Sequence, residues 1–141
     1  MTLSVLIAPD KFKGTLTATQ AAKAITRGWK MARPDDWMTL QPISDGGDGF
    51  GPLLGKLLGM QTRQTTTVDA THQPIKSRWW MEPTNRTAVI ESANIIGLAM
   101  LPRGKFHPFD LDTFGLGKVL QRATTAGATR CIIGIGGSAT N

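Results

Sequence analysis

The chain has 141 residues, of which 40% are hydrophobic and 18% charged, a composition that suits one domain with its own core and excludes wholesale disorder. Sixteen Lys and Arg against ten Asp and Glu leave a net charge of +6, which favours acidic partners such as a nucleotide, a carboxylate metabolite or nucleic acid. The basic residues are scattered from Lys11 to Arg130 without a run of four, so a solvated basic surface accounts for them better than a polybasic binding patch does. The single cysteine, Cys131, excludes an intrachain disulfide framework and a Cys-rich zinc site. No secretory signal and no apolar stretch of membrane-spanning length is present, so a soluble, cytoplasmic setting without membrane contact is expected.

The first predicted element is the apolar run "LSVLIA" (Leu3 to Ala8), which reads as a strand covered on both faces. After the loop "PDKFKGT", Thr17 and Gln20 stand at capping-box spacing, and Ala18, Ala21, Ala22, Ile25 and Trp29 fall on one face of a helix that Pro34 stops. A second unit repeats the pattern. "MTLQPI" (Met38 to Ile43) is a strand, "SDGGDGFG" a loop, and Phe50, Leu53, Leu54, Leu57 and Leu58 form an apolar helical stripe that Gly59 ends. Two strand–loop–helix units in series predict a parallel sheet with crossover helices.

The middle of the chain is rich in Thr, Val, Ile and Trp, with turn signals at "DATHQP" and "EPTN". It predicts an antiparallel meander over 62–69, 75–81 and 86–91, with His72 a solvated turn residue. Trp79 and Trp80 must point to opposite faces of their strand, so at least one belongs to the core. A helix follows from Asp110 or Asp112 to Ala126, and then the apolar strand and glycine-rich loop "CIIGIGGSATN". The expected fold class is α/β, a three-layer parallel-sheet domain with an antiparallel β-meander insertion. Residues 1–60 form β-α-β-α units, 61–92 the meander, and 93–141 a helix and a glycine-rich strand–loop.

Chemistry is expected in three loops that follow strands, where open α/β sheets bind ligands. The first offers Asp10, Lys11 and Lys13, and the second Asp45, Gly46, Gly47 and Asp48. The third offers Gly136, Gly137, Ser138, Thr140 and Asn141. Phosphoryl transfer needs these groups: lysines neutralise phosphate or carboxylate, carboxylates hold Mg²⁺ or accept a hydroxyl proton, and glycines let backbone N–H groups approach phosphate. Each has a plainer reading. Asp45 before two glycines suits an Asx turn, Asp48 a helix cap, and the two lysines a solvated loop. "GIGGSA" fits only a loose dinucleotide pattern, and "GLGKV" is not a Walker A motif because Val119 replaces Ser or Thr and Asp112 stands where Gly is needed; Gly115 and Gly117 there mark a helix start or a close contact.

Four segments together resemble the bacterial glycerate kinase family. "IAPDKFKGTLTATQAAKAI" is similar to its IAPDSFKGSLSA opening, "PISDGGDGF" to P-x-A-DGGEGT, "TAVIESANIIGLAML" to TAVIEMAxASGL, and "GATRCIIGIGGSATN" to the GGSATNDGG signature. They occur in the family's order along the whole chain. Lys11 replaces a usual Ser, Ser44 an Ala and Asp48 a Glu; "DLDTFGLGKVL" puts Lys118 where an acid is common. The resemblance implies part of a two-domain α/β kinase that uses ATP and Mg²⁺ to phosphorylate D-glycerate at an unresolved hydroxyl. It further implies an amino-terminal portion whose remainder is absent, inactive by itself and prone to self-association. Lys11, Lys13 and Asp45 are then the expected catalytic residues, with Asp45 also the metal candidate. Asp10, Gly46, Gly47, Asp48, Gly136, Gly137, Ser138, Thr140 and Asn141 are the expected binding residues. Nucleic acid is not the expected partner, although a non-catalytic module that binds nucleotide or nucleic acid through its basic surface is the alternative.

Overall fold

A computed structural model describes residues 1–140, in which two compact units follow one another, Met1–Asp45 and a second that begins at Gly46. In the first, β1 (Ser4–Ile7) and β2 (Trp37–Leu40) pair in parallel, with Ser4 opposite Trp37 and Ile7 opposite Leu40. Between them runs α1 (Ala18–Ala32), whose predicted capping box is formed: Gln20 N–H donates to the Thr17 hydroxyl, and Thr17 N–H donates to Gln20 Oε1. The buried stripe of α1 is narrower than the periodicity suggested, being Ala18, Ala21 and Ala22, while Ile25 is exposed. The strand expected to be covered on both faces is not. Leu6 is 63% exposed, because α1 is the helix that this two-stranded sheet has in its own unit.

The turn after α1 is closed by Asp36, which is only 2% exposed. Its carboxylate accepts from Leu3 N, Trp29 Nε1, and Arg33 Nε and Nη2, at 2.6–3.2 Å. The Arg33 guanidinium beside it, followed by the Leu3 N–H, holds this carboxyl far below the ordinary range. A buried acid thus ties the first strand, the helix and the turn together.

The second unit carries a mixed sheet in the order β3-β4-β5-β6, from Gln61–Val68, Pro74–Glu82, Thr87–Glu91 and Arg130–Gly134. The meander falls where its alternation placed it, and it shares its last strand with the parallel pair β5–β6, so meander and parallel sheet are one surface. Every residue of β5 is buried. Alternation sorts the side chains: Trp79, Met81, Ala88 and Ile90 join Val119 and Ala123 of α3 (Phe114–Thr125). Trp80 and Val89 join Phe50 and Leu54 of α2 (Phe50–Leu57). Both tryptophans are therefore core, on opposite faces of one strand.

Glycines set how closely the helices approach. A Cβ on Gly55 would lie 2.4 Å from the Trp80 ring, and one on Gly115 1.8 Å from the Val68 carbonyl oxygen. His72, at φ 64, is half exposed in the β3–β4 turn; its Nε2 pairs with Asp112 Oδ2 at 2.7 Å and its ring stacks on Phe114. It fastens the turn to the start of α3. Among the described residues no helix is long and apolar enough to cross a membrane.

Candidate functional site

In the first unit the parallel ladder runs on beyond the formal strands. Gln41 N–H donates to Ile7 O and Ile43 N–H to Pro9 O, at 2.9 and 3.1 Å, so the loops after β1 and β2 leave the same end side by side. Asp10 joins them. Its Oδ1 accepts from Lys11 N at 2.6 Å and its Oδ2 from Asp45 N at 3.1 Å. Such bonds to an ionised acceptor are stronger than neutral ones. Asp10 therefore fastens the backbone of Asp45, a role the sequence did not disclose, and Asp45 itself is exposed. Lys13 projects from a tight turn in which Thr15 and Leu16 N–H both donate to Phe12 O, while Lys11 at its base is half-buried.

In the second unit the glycines of two loops meet backbone to backbone. Gly136 N–H donates to Gly46 O at 3.0 Å. A Cβ on Gly136 would sit 2.8 Å from Gly47 Cα, and one on Gly134 2.5 Å from Gly46 O. Only glycine fits between these segments. The glycine-rich loop is tied again by Leu98 N–H donating to Gly137 O and Ala139 N–H to Ile96 O. Ser138 and Thr140 bond each other: their hydroxyls lie 2.9 Å apart, and Thr140 N–H donates to Ser138 Oγ. Asn141, expected at this site, lies outside the described residues.

Sequence reasoning missed Glu91. It ends β5, opposite Gly134 of β6, and is 3% exposed. Its carboxylate accepts from Gly49 N and Gly51 N, at 3.2 and 2.8 Å. These are N–H groups at the opening of α2, which have no partner within the helix. The helix cap that is the plainer reading of Asp48 is absent for a local reason. Gly49 occupies the N-cap position at φ 93, no side chain caps there, and the acid comes from a strand 40 residues away in sequence. Asp48 remains exposed. The signal that could have found Glu91 is an acid closing a largely apolar strand, "TAVIE".

Among the described residues no group of three or more His, Cys, Asp or Glu could hold a metal ion. Each unit instead presents exposed acids, Asp45 in the first and Asp48 in the second. The amino end of α2 already faces a carboxylate. In the glycine-rich loop after β6 the Gly136 N–H is likewise engaged, by Gly46 O, and Gly137 O accepts from Leu98 N–H.

The sequence profile of the glycerate kinase family matches residues 5–141. A glycerate kinase of Bacillus subtilis (strain 168) is 39% identical over 139 residues, which cover 99% of this chain and 36% of that protein. A glycerate 2-kinase of Escherichia coli (strain K12) is 33% identical, with coverage of 99% and 36%. A crystal structure from Salmonella typhimurium LT2, assigned to glycerate kinase 2, superposes with a TM-score of 0.78 at 30% identity, covering all of this chain and 38% of its own. The chain thus spans about a third of the length of the curated relatives it matches. The match takes in all three glycine- and acid-bearing loops, and the chain belongs to the glycerate kinase family.

Proposed function

We propose that this chain is part of an ATP-dependent kinase that transfers a phosphoryl group to D-glycerate, giving phosphoglycerate and ADP. The observation that carries the reading is the family match from residue 5 to residue 141. The loops supply suitable chemistry. Lys11 and Lys13 contact phosphate or the glycerate carboxylate; Gly136, Gly137 and Ser138, with Gly46 and Gly47 packed against that loop and Thr140 and Asn141 next to it in sequence, provide backbone and hydroxyl groups for anions. Asp10 contributes by holding the backbone of Asp45.

In the reaction a glycerate hydroxyl oxygen bonds to the γ-phosphorus, the bond from that phosphorus to the β-γ bridging oxygen breaks, and ADP leaves. The hydroxyl proton passes to a base. Asp45 takes that proton or holds Mg²⁺. The donor set suits Mg²⁺, which binds through one or two carboxylates with water and phosphate completing its shell, so no dedicated protein cage is required. When bound, the ion neutralises charge on the transferring phosphate. The whole enzyme is proposed as two α/β domains, to which this chain contributes the loops above.

The test is a glycerate-dependent ADP-release assay on the chain and on any longer product of its gene, with phosphorus NMR to locate the new ester. Asp45→Ala is expected to lower kcat by about 10²-fold or more; unchanged turnover would remove Asp45 from the machinery. Screening other hydroxy acids checks the acceptor. The net charge of +6 favours a second reading, a non-catalytic nucleotide- or nucleic-acid-binding module. Saturable binding to DNA with steep salt dependence would support it.

A further inference from the structure

An acid buried to 3% exposure at the end of a strand has a reason to be there, and the Glu91 carboxylate binds the backbone of the turn before α2. Gly46 to Gly51 crosses the ends of β5 and β6, where Gly134 leaves room for it and Glu91 grips it. Gly46 O lies 2.5 Å from where a Cβ of Gly134 would be, and Glu91 stands beside Gly134 in the ladder. The turn is closed by Phe50 N–H donating to Gly47 O at 3.0 Å, which leaves Asp48 at its tip between two anchored flanks. On one flank Gly47 packs against Gly136 of the glycine-rich loop; on the other Gly49 and Gly51 donate to Glu91.

A serine or aspartate at the N-cap would satisfy the helix as well as Glu91 does. It would not tie the turn to the sheet. The carboxylate does both, and its negative charge at the positive end of α2 disfavours a phosphate there. Phosphate is left to the loop after β6, while the turn before α2 presents an acid.

We propose that Glu91 is a positioning residue of the phosphotransfer site, gripping the turn before α2 so that Asp48 and the facing glycine loop hold one geometry. The inference rests on the kinase reading above for its functional half. Its structural half stands independently: the Gly49 and Gly51 amides are bound to a carboxylate.

Two measurements separate the halves, the first on this chain and the second on whichever product of its gene turns over glycerate. In the wild-type chain, the Gly49 and Gly51 amide resonances, followed by ¹H–¹⁵N NMR through acid titration, should move together with a single protonation. In Glu91→Gln both should shift and exchange faster, with other glycine amides largely unmoved. In the glycerate assay, Glu91→Gln should lower kcat about 10- to 100-fold, as small misplacements of catalytic groups do, with KM changed less than about threefold. Glu91→Asp, which keeps the charge, should retain more activity than Glu91→Gln. Wild-type kcat in a folded Glu91→Gln protein would overturn the proposal, as would Gly49 and Gly51 amides that ignore both titration and substitution. If neither variant folds, the wild-type titration decides alone. If neither this chain nor any longer product of its gene phosphorylates glycerate, the kinase reading falls, and the anchoring of the turn stands or falls on those two amides.

Discussion

Gly115 and Gly117 sit two residues apart in α3, and the same substitution should act on them in opposite directions. In a helix interior Gly→Ala is worth up to about 1 kcal/mol from backbone entropy and propensity. Gly117 is exposed with nothing within 4 Å of a new Cβ, so Gly117→Ala should collect about 0.5–1 kcal/mol of that gain. At Gly115 the new Cβ would stand 1.8 Å from Val68 O, more than 1 Å inside ordinary contact. That oxygen belongs to a strand backbone and cannot swing away as a side chain would. Overpacking of this kind costs about 1–3 kcal/mol or more. Moving the helix out would also stretch the 2.8 Å bond that Thr67 Oγ1 donates to Gly115 O, worth about 1 kcal/mol. The net expectation is a loss of about 1–3 kcal/mol after the propensity gain is subtracted. Thermal unfolding followed by circular dichroism checks it: Gly115→Ala should lower Tm by roughly 3–12 °C and Gly117→Ala raise it by about 2–4 °C, at about 3–4 °C per kcal/mol for a chain of this size. A Gly115→Ala protein that is stabilised as Gly117→Ala is would show that α3 does not rest on Val68.

Asp36 gives a pH test. Because Arg33 and the Leu3 N–H depress its folded pKa below the unfolded value near 3.9, its contribution is fully present above about pH 4 and lost as pH falls further. Asp36→Asn should lower stability at neutral pH and flatten the acid loss; identical pH profiles for the two proteins would show that Asp36 is not paired. Asp10→Asn should weaken the tie between Lys11 N and Asp45 N, and hydrogen exchange at those two amides should quicken while Gly49 and Gly51 stay as they were. Trp37 and Ile135, each 75% exposed, predict concentration-dependent self-association of the 141-residue chain, read by sedimentation velocity. A single monomeric species across a hundredfold concentration range would contradict that.

Most elements were legible from local pattern. The Thr17–Gln20 box opens α1 because its two bonds span three residues, and the meander follows from period-2 alternation between strong turn signals. Recognising the family needed four short segments in order. What stayed hidden involves residues far apart in sequence. Asp48 was a reasonable cap on spacing alone, yet Glu91 takes that role from across the sheet. Asp10 looked like a ligand-binding acid and also serves as a fastener, because parallel pairing of β1 and β2 brings Asp45 beside it.

The sequence by itself determined which segments are strands and helices, which side chains of β4 and β5 face which way, and which loops carry glycine, lysine and acid. Those properties depend on the period of a helix or a strand and on the chemistry of neighbours a few residues away. Tertiary structure alone decided which polar groups far apart in sequence bind each other and which glycines are obligatory. A carboxylate is a ligand, a cap or a clamp according to which N–H groups reach within about 3 Å of it, and sequence separation carries no information about that distance.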